Sequence, residues 1–245
     1  MIYHVLPGDA QVEEFRKSGI AGELIVCREA LIYGPIDALD LDTFWQERAG
    51  FILAEYGEDE ISYHDNVAGE LSRLLDLGPG DEACLWFEYE LFCSVNMWFC
   101  LSLLKETGAT VCRVEPLGRD VERRWEGFGE FSADEMRAAF ELRTYLSSEH
   151  VDLGDGLWTA YRKRDLAKLK TLAAKCDADC FPYLNEVVAA AAEEDIQPLE
   201  VVREIVAGGV AKDIAAVFPE FKRRAGVYGY GDLQVQKLLD QLGSS

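Results

Sequence analysis

Lysine is nearly missing from the first half of this chain: Lys17 and Lys105 are the only two before residue 118. A phosphate bound there would rely on Arg28, Arg48 or backbone amides. Basic charge is short throughout. Twenty-four Lys and Arg stand against 45 Asp and Glu, and a formal net charge of −21 disfavours nonspecific binding to nucleic acid or to an anionic membrane. Histidine is scarce. His4, His64 and His150 are scattered and form no His-Glu-x-x-His pattern. The phosphate-binding P-loop and the Gly-x-Ser-x-Gly elbow are both absent. A dinucleotide fingerprint is absent too, because only Gly8 stands where three glycines are needed. No apolar run reaches membrane-spanning length, so no membrane association is expected. Met1-Ile2-Tyr3-His4 lacks the basic start of a secretory leader, and none is expected.

Cysteine is present, but in an odd number. Of the seven, Cys27, Cys84, Cys100 and Cys112 lie inside apolar runs, as buried free thiols do. That usage points to a reducing cytoplasm rather than a disulfide scaffold. Cys176 and Cys180 are one helical turn apart with no second pair to complete a zinc site, so no metal site is expected.

The remainder supports a proper core, since 49% of the 245 residues are hydrophobic. The organising stretch is 84–116. Residues 83–87 are a short apolar run after Gly78-Pro79-Gly80-Asp81, which suits a strand buried on both faces. Residues 95–104 are apolar almost all round and read as a core helix that stops near Lys105 and Gly108. Residues 110–114 return as a strand, completing a right-handed βαβ unit. Earlier strands are expected at 2–6 and 23–27, and helices at 11–18, 41–56 and 64–77. The fold class is therefore α/β, with a Rossmann-like, mostly parallel sheet in strand order 2-1-3-4 over residues 1–117. Residues 118–131, with the polar run up to Arg124, read as a connector.

Residues 132–245 read as helical. Ser132-Ala133-Asp134-Glu135 is a capping-box signature opening a helix expected over 133–146. Gly154 and Gly156 are expected to break the chain before a helix at 157–174. Further helices are expected at 181–194, 198–206, 211–217 and 233–242. The last three admit a winged-helix-like module. Its only basic cluster, Lys212, Lys222, Arg223 and Arg224, is diluted by Glu200, Glu204, Asp213, Glu220 and Asp232, so a nucleic-acid partner is not expected.

In a parallel sheet, ligands bind beyond the carboxyl ends of the strands. Asp9, Arg28, Glu29, Glu88 and Glu90 all follow strands, and the expected order brings them to one lip. Each has a plain alternative. Asp9 can cap the next helix, Arg28 and Glu29 can pair with each other, and Glu88 and Glu90 can be solvated loop carboxylates. Arg48, set among aromatics, is either a stem packed on the core or an arginine aimed at the rim.

The segments Gly8-Asp9-Ala10, CREALIYGPI at 27–36, ERAGF at 47–51 and LWFEYELFCSVNMWFCLSLL at 85–104 resemble a bacterial family, domain of unknown function 1835. The family's Gly-Asp falls on Gly8 and Asp9. Its Arg-Asp-x-Leu-x-x-Gly-Pro falls on Arg28, Glu29, Leu31, Gly34 and Pro35, and its Leu-Trp-Phe-x-x-Asp on Leu85, Trp86, Phe87 and Glu90. Glu29 and Glu90 stand where the family usually carries Asp, which keeps the charge and lengthens the reach by one methylene. Residues 158–161, 181–184 and Gly229-Tyr230-Gly231-Asp232 resemble the helical region that accompanies the family. The family's His-bearing helix here lacks histidine over 187–194. The resemblance implies the fold and the rim and carries no activity or cofactor with it.

Two functional readings follow. The first is a small-molecule site at Gly8, Asp9, Arg28, Glu29, Gly34, Arg48, Glu88, Glu90 and Asn96, with polar chemistry such as hydrolysis or group transfer on a nucleotide-like or sugar-like substrate. The second is a non-catalytic protein whose helical half docks a protein partner.

Overall fold

The computed structural model of the chain describes residues 1–57, 59–117, 122–176 and 180–243. Residues 118–121 of the expected connector lie outside that set. The strands are β1 (Ile2–Leu6), β2 (Glu23–Val26), β3 (Glu82–Leu85), β4 (Thr110–Arg113) and β5 (Thr144–Leu146). In the first half the helices are α1 (Val12–Ser18), α2 (Leu41–Tyr56), α3 (Glu60–Tyr63), α4 (Gly69–Ser72) and α5 (Leu91–Leu104). Then come α6 (Ala133–Glu141), α7 (Ser148–Arg162), α8 (Leu166–Ala173), α9 (Leu184–Glu193), α10 (Gln197–Ala207), α11 (Ile214–Ala225) and α12 (Asp232–Gly243).

The sheet runs β2-β1-β3-β4-β5, with the first four strands mutually parallel and β5 antiparallel on β4. The expected order of the first four is observed, and the molecule is α/β with a helical region following the sheet. Alternate residues of each strand face opposite layers. Val5, Ile25, Ala83, Leu85 and Val111 join the hydrophobic cluster that contains α5. Leu6, Cys84, Trp86, Cys112 and Val114 face the other way, under Phe15 of α1 and Met136 and Ala139 of α6. Both faces are therefore covered, which is why the strands read as continuous apolar runs. His4 is buried in the second layer. Trp86 Nε1 donates to its Nδ1 at 3.1 Å, so Nε2 carries the proton and donates to the Ala21 carbonyl at 3.2 Å. Burial holds its pKa below the usual histidine value.

The α5 helix is the hub, with only Phe92 and Ser102 short of full burial. It packs against α7, and the first hydrophobic cluster continues from it through Leu157 and Val188 to Ile205 and Phe221.

Five local expectations differ from what forms. The helix expected over 133–146 opens with the capping box at Ser132 but stops at Glu141, and Thr144–Leu146 then pairs with the open edge of β4. Edge pairing supplies backbone partners that one more helical turn would have supplied, and it also extends the sheet. The helix expected over 64–77 is interrupted by a π turn at His64–Ala68 and ends in a 3-10 turn at Arg73–Asp76. Gly154 and Gly156 do not break the chain, because α7 runs through both; the break falls instead inside the helix expected over 157–174, where Arg164 turns to φ +54° and Asp165 caps α8. A Cβ on Gly154 would overlap the Leu101 side chain, so the glycine is there to let α7 close on α5. The helix expected over 211–217 is α11, which runs on through Pro219. After Leu146 the described residues form helices and turns with no strand, so α10 to α12 carry no β-wing. Among the described residues no helix is long and apolar enough to cross a membrane.

Candidate functional site

The four parallel strands end at one edge of the sheet, and the residues that follow them occupy three neighbouring environments there. The first is an open cleft of about 620 Å³ beside β1 and β2, lined by Asp9, Arg28, Tyr63 and Asn66 among others. Gly8 approaches it in extended backbone with open space around it. Asp9 and Arg28 form a two-pronged ion pair, Nε to Oδ2 and Nη2 to Oδ1, both at 2.8 Å. Arg28 also donates to the Asn66 carbonyl at 2.9 Å. The guanidinium holds the Asp9 carboxyl below the usual carboxylate range. Asp9 therefore does not cap the following helix, and Arg28 does not pair with Glu29.

Beneath that cleft lies a closed polar network. Glu29 and Arg48 are both inaccessible, and Arg48 Nη2 reaches Glu29 Oε2 at 2.5 Å. The Tyr63 hydroxyl donates to Glu29 Oε1, and Arg48 donates to the Tyr33 carbonyl. Burial, reinforced by the Glu29 charge, pushes the Tyr63 hydroxyl pKa up. Asn96 projects from α5, donates to the Glu29 carbonyl at 2.7 Å and accepts from the Leu31 amide at 3.4 Å. Gly34, at φ +80°, lies so close to the Phe51 ring that a Cβ would come within 2.6 Å of it. Glu29, Gly34, Arg48 and Asn96 thus clamp the loop after β2 rather than face a ligand. Nearly every polar atom in the network has a partner, which is the condition for burying such charge.

The third environment holds Glu88 and Glu90. They follow β3 and line a cleft of about 600 Å³ together with Trp125, Gly127, Phe221 and Tyr230. Glu88 Oε1 accepts the Phe128 amide at 2.7 Å. Glu90 is the N-cap of α5: its Oε1 accepts the Cys93 amide at 3.1 Å. Its Oε2 is buried and has no hydrogen-bond partner among the described residues. Burial first, and then the negative charge of Glu88, push the Glu90 carboxyl up to about 8. The Cys93 thiol is likewise pushed up by burial and by the charges of Glu90 and Glu88.

Two glycines shape this pocket. A Cβ on Gly127 would overlap the Glu88 carboxyl. A Cβ on Gly229, which sits at φ +69°, would come within 2.5 Å of Glu90 Oε1. Both come from the chain after β4, Gly127 from the connector and Gly229 from the helical half, so these later segments close directly over the two acids. Lys222 and Arg223 of α11 also line the cleft, Arg223 being paired with Glu220 at 2.7 Å.

The nine expected residues are therefore split. Asp9 and Arg28 share one cleft, Glu88 and Glu90 the other, and the turn Asp9–Gln11 lies between, since Gln11 lines the second cleft and Asp9 the first. Gly127, Gly229 and Tyr230 line the second cleft, and Cys93 lies beside Glu90, without having been expected there. Only the Gly229-Tyr230-Gly231-Asp232 motif carried a signal for them. No family model, no curated protein and no solved structure matches the chain.

Proposed function

We propose that the chain binds a small polar molecule in the Glu88–Glu90 cleft and carries out polar chemistry on it, of the hydrolysis or group-transfer kind, on a nucleotide-like or sugar-like substrate. One observation carries the reading. The Glu90 carboxyl oxygen Oε2 is buried with no hydrogen-bond partner among the described residues, beside a cleft beyond the carboxyl ends of parallel strands. Leaving such an atom unpaired costs about 1–3 kcal/mol, a penalty that a bound polar group removes. Lys222 and Arg223, which also line the cleft, suit an anionic end of the ligand, with its hydroxyl or amide groups toward Glu90. The Rossmann-like frame is the analogy behind the substrate class. The resemblance to domain of unknown function 1835 belongs to the same proposal and rests on the motifs around Asp9, Glu29 and Glu90. Seven unbridged cysteines support a cytoplasmic setting.

The test is a thermal-shift screen of nucleotides, sugars and sugar phosphates, run with a chelator present. A ligand at about 100 times its Kd adds about 2.7 kcal/mol. For a chain of this size that raises Tm by roughly 5–10 °C. Glu90→Gln, which keeps an acceptor for the Cys93 amide, abolishes or weakens the shift. A shift that is unchanged in Glu90→Gln and Glu88→Gln but lost in Arg28→Ala would move the site to the other cleft and defeat the reading.

A further inference from the structure

Three glutamates are buried among the described residues, and two of them have the donors that a charge requires. Glu29 has the Arg48 guanidinium and the Tyr63 hydroxyl. Glu194 accepts from the Tyr161 hydroxyl at 2.8 Å and from Arg164 at 2.6 Å. Glu90, only 4% exposed, differs. Its Oε1 accepts the Cys93 amide, and the Gly229 backbone closes on that same oxygen. Its Oε2 is buried and takes no hydrogen bond from any described residue. Its near neighbours do not favour a negative charge either, since one oxygen of Glu88, one of Glu90 and the Cys93 Sγ lie within 4.8 Å of one another. A buried carboxylate persists where donors or a cation surround it. The surroundings of Glu90 suit the neutral acid instead, whose Oε2 is a hydroxyl with a proton to give.

We propose that Glu90 serves the second cleft as a neutral hydrogen-bond donor, giving its Oε2 proton to a hydroxyl, carbonyl or ring-nitrogen acceptor of a nucleotide or sugar phosphate. The proposal rests on the reading of this cleft as the ligand site and deepens it, because it fixes the direction of the hydrogen bond. Glu90 lines the cleft together with Lys222 and Arg223, which take the phosphate end. A carboxylic acid kept neutral near pH 7 donates a hydrogen bond that its carboxylate cannot. The acceptor on the ligand satisfies the hydroxyl that the fold leaves unpaired. Binding is therefore linked to protonation: once Glu90 ionises it has no proton to give and faces the acceptor with a negative charge. The ionisable groups around it are Glu88 from the same loop, Cys93 from α5, Tyr230 from the turn before α12, and Glu122, Glu126, Lys222 and Arg223 along the cleft. Burial raises both the Cys93 thiol and the Tyr230 hydroxyl, so both stay neutral up to pH 9.

The test uses the whole chain with AMP and ribose 5-phosphate as probes. Binding is followed by isothermal calorimetry between pH 7 and pH 9, in buffers of differing ionisation enthalpy. Burial and the Glu88 charge raise the Glu90 pKa to about 8, so its protonated fraction falls about tenfold over that range and Kd should rise about tenfold. At pH 9 binding should take up close to one proton. Glu90→Gln, whose amide can still donate, should bind more weakly at pH 7, with no proton uptake and no dependence on pH. Infrared spectra without ligand give a second readout. The carbonyl band of a neutral carboxylic acid should be present at pH 7 in the wild type and weaker by one carboxyl in Glu90→Gln, whose folding is checked by circular dichroism. Binding without proton uptake at pH 9 overturns the proposal and leaves the reading of the cleft standing, as does an infrared band of equal strength in the two proteins. Proton uptake that persists in Glu90→Gln also overturns it, because the proton then belongs to another group. Failure of both probes to bind at pH 7 defeats the ligand class itself, and the proposal with it.

Discussion

Replacing Glu90 by glutamine should change how stability depends on pH, and the sign follows from where the acid sits. Burial and the Glu88 charge raise the Glu90 pKa from 4.5 to about 8 in the folded chain. Below pH 4.5 the group is protonated whether the chain is folded or not, and it contributes nothing to the difference. Above that, the unfolded chain releases the proton while the folded chain keeps it, so the folded state loses stability as pH rises. Past about pH 8 both states are ionised and the whole cost stands. A shift of about 3.5 units at 1.36 kcal/mol each sets the upper limit at about 5 kcal/mol. Glutamine keeps an oxygen for the Cys93 amide and has no proton to lose in this range. Glu194, raised to about 7 by burial, adds a slope of the same sign, and His4, lowered by burial, adds the opposite one. Both are present in either protein and cancel in the comparison. The assay is urea denaturation of wild type and Glu90→Gln between about pH 5 and pH 9, with a chelator present. The expected outcome is a variant that gains on wild type by several kcal/mol across that range, most of it between pH 6 and pH 8. Parallel curves would refute the reasoning, because they would mean that the carboxyl is hydrated in the folded state.

Other perturbations separate buried from exposed features. Glu29→Ala leaves Arg48 buried without its partner and should cost about 3–5 kcal/mol. Asp9→Ala removes a pair that is 65% exposed on the acid side and should cost no more than about 1 kcal/mol, so equal losses on denaturation would contradict the assignment of the two pairs. Gly154→Ala sets about 1 kcal/mol of helix propensity against overpacking of about 1–3 kcal/mol where α7 meets Leu101. The overpacking should win, and a stabilised variant would show that α5 and α7 can part without cost. Gly229→Ala must adopt φ +69° and displace the Glu90 carboxyl, for a loss of at least about 2 kcal/mol by the same measurement.

Strand positions and their order were legible because they depend on local pattern and general topology. Residues 83–87 and 110–114 carry uninterrupted apolar character, and a βαβ crossover of that length leaves few ways to connect them. The edge strand β5 was hidden because Thr144-Tyr145-Leu146 follows a good helical run, and its strand partners lie on β4. Gly154 was misleading for a related reason. In sequence a glycine signals a break, and only the proximity of Leu101 shows that it serves a close helix crossing.

The letters alone establish a parallel sheet whose strands deliver acids and arginines to one edge, since period, turn residues and crossover handedness are properties of near neighbours. They do not distinguish the fates of those side chains. Arg28 and Glu29 are adjacent in the chain, yet one stays at the surface with Asp9 and the other is sealed in with Arg48 and Tyr63. Glu90 becomes a buried acid because Gly229, from the far end of the chain, closes over it. Burial, proton affinity and the grouping of Glu88, Glu90 and Cys93 depend on which distant segments exclude water from a given atom, and that is settled only when the chain packs against itself.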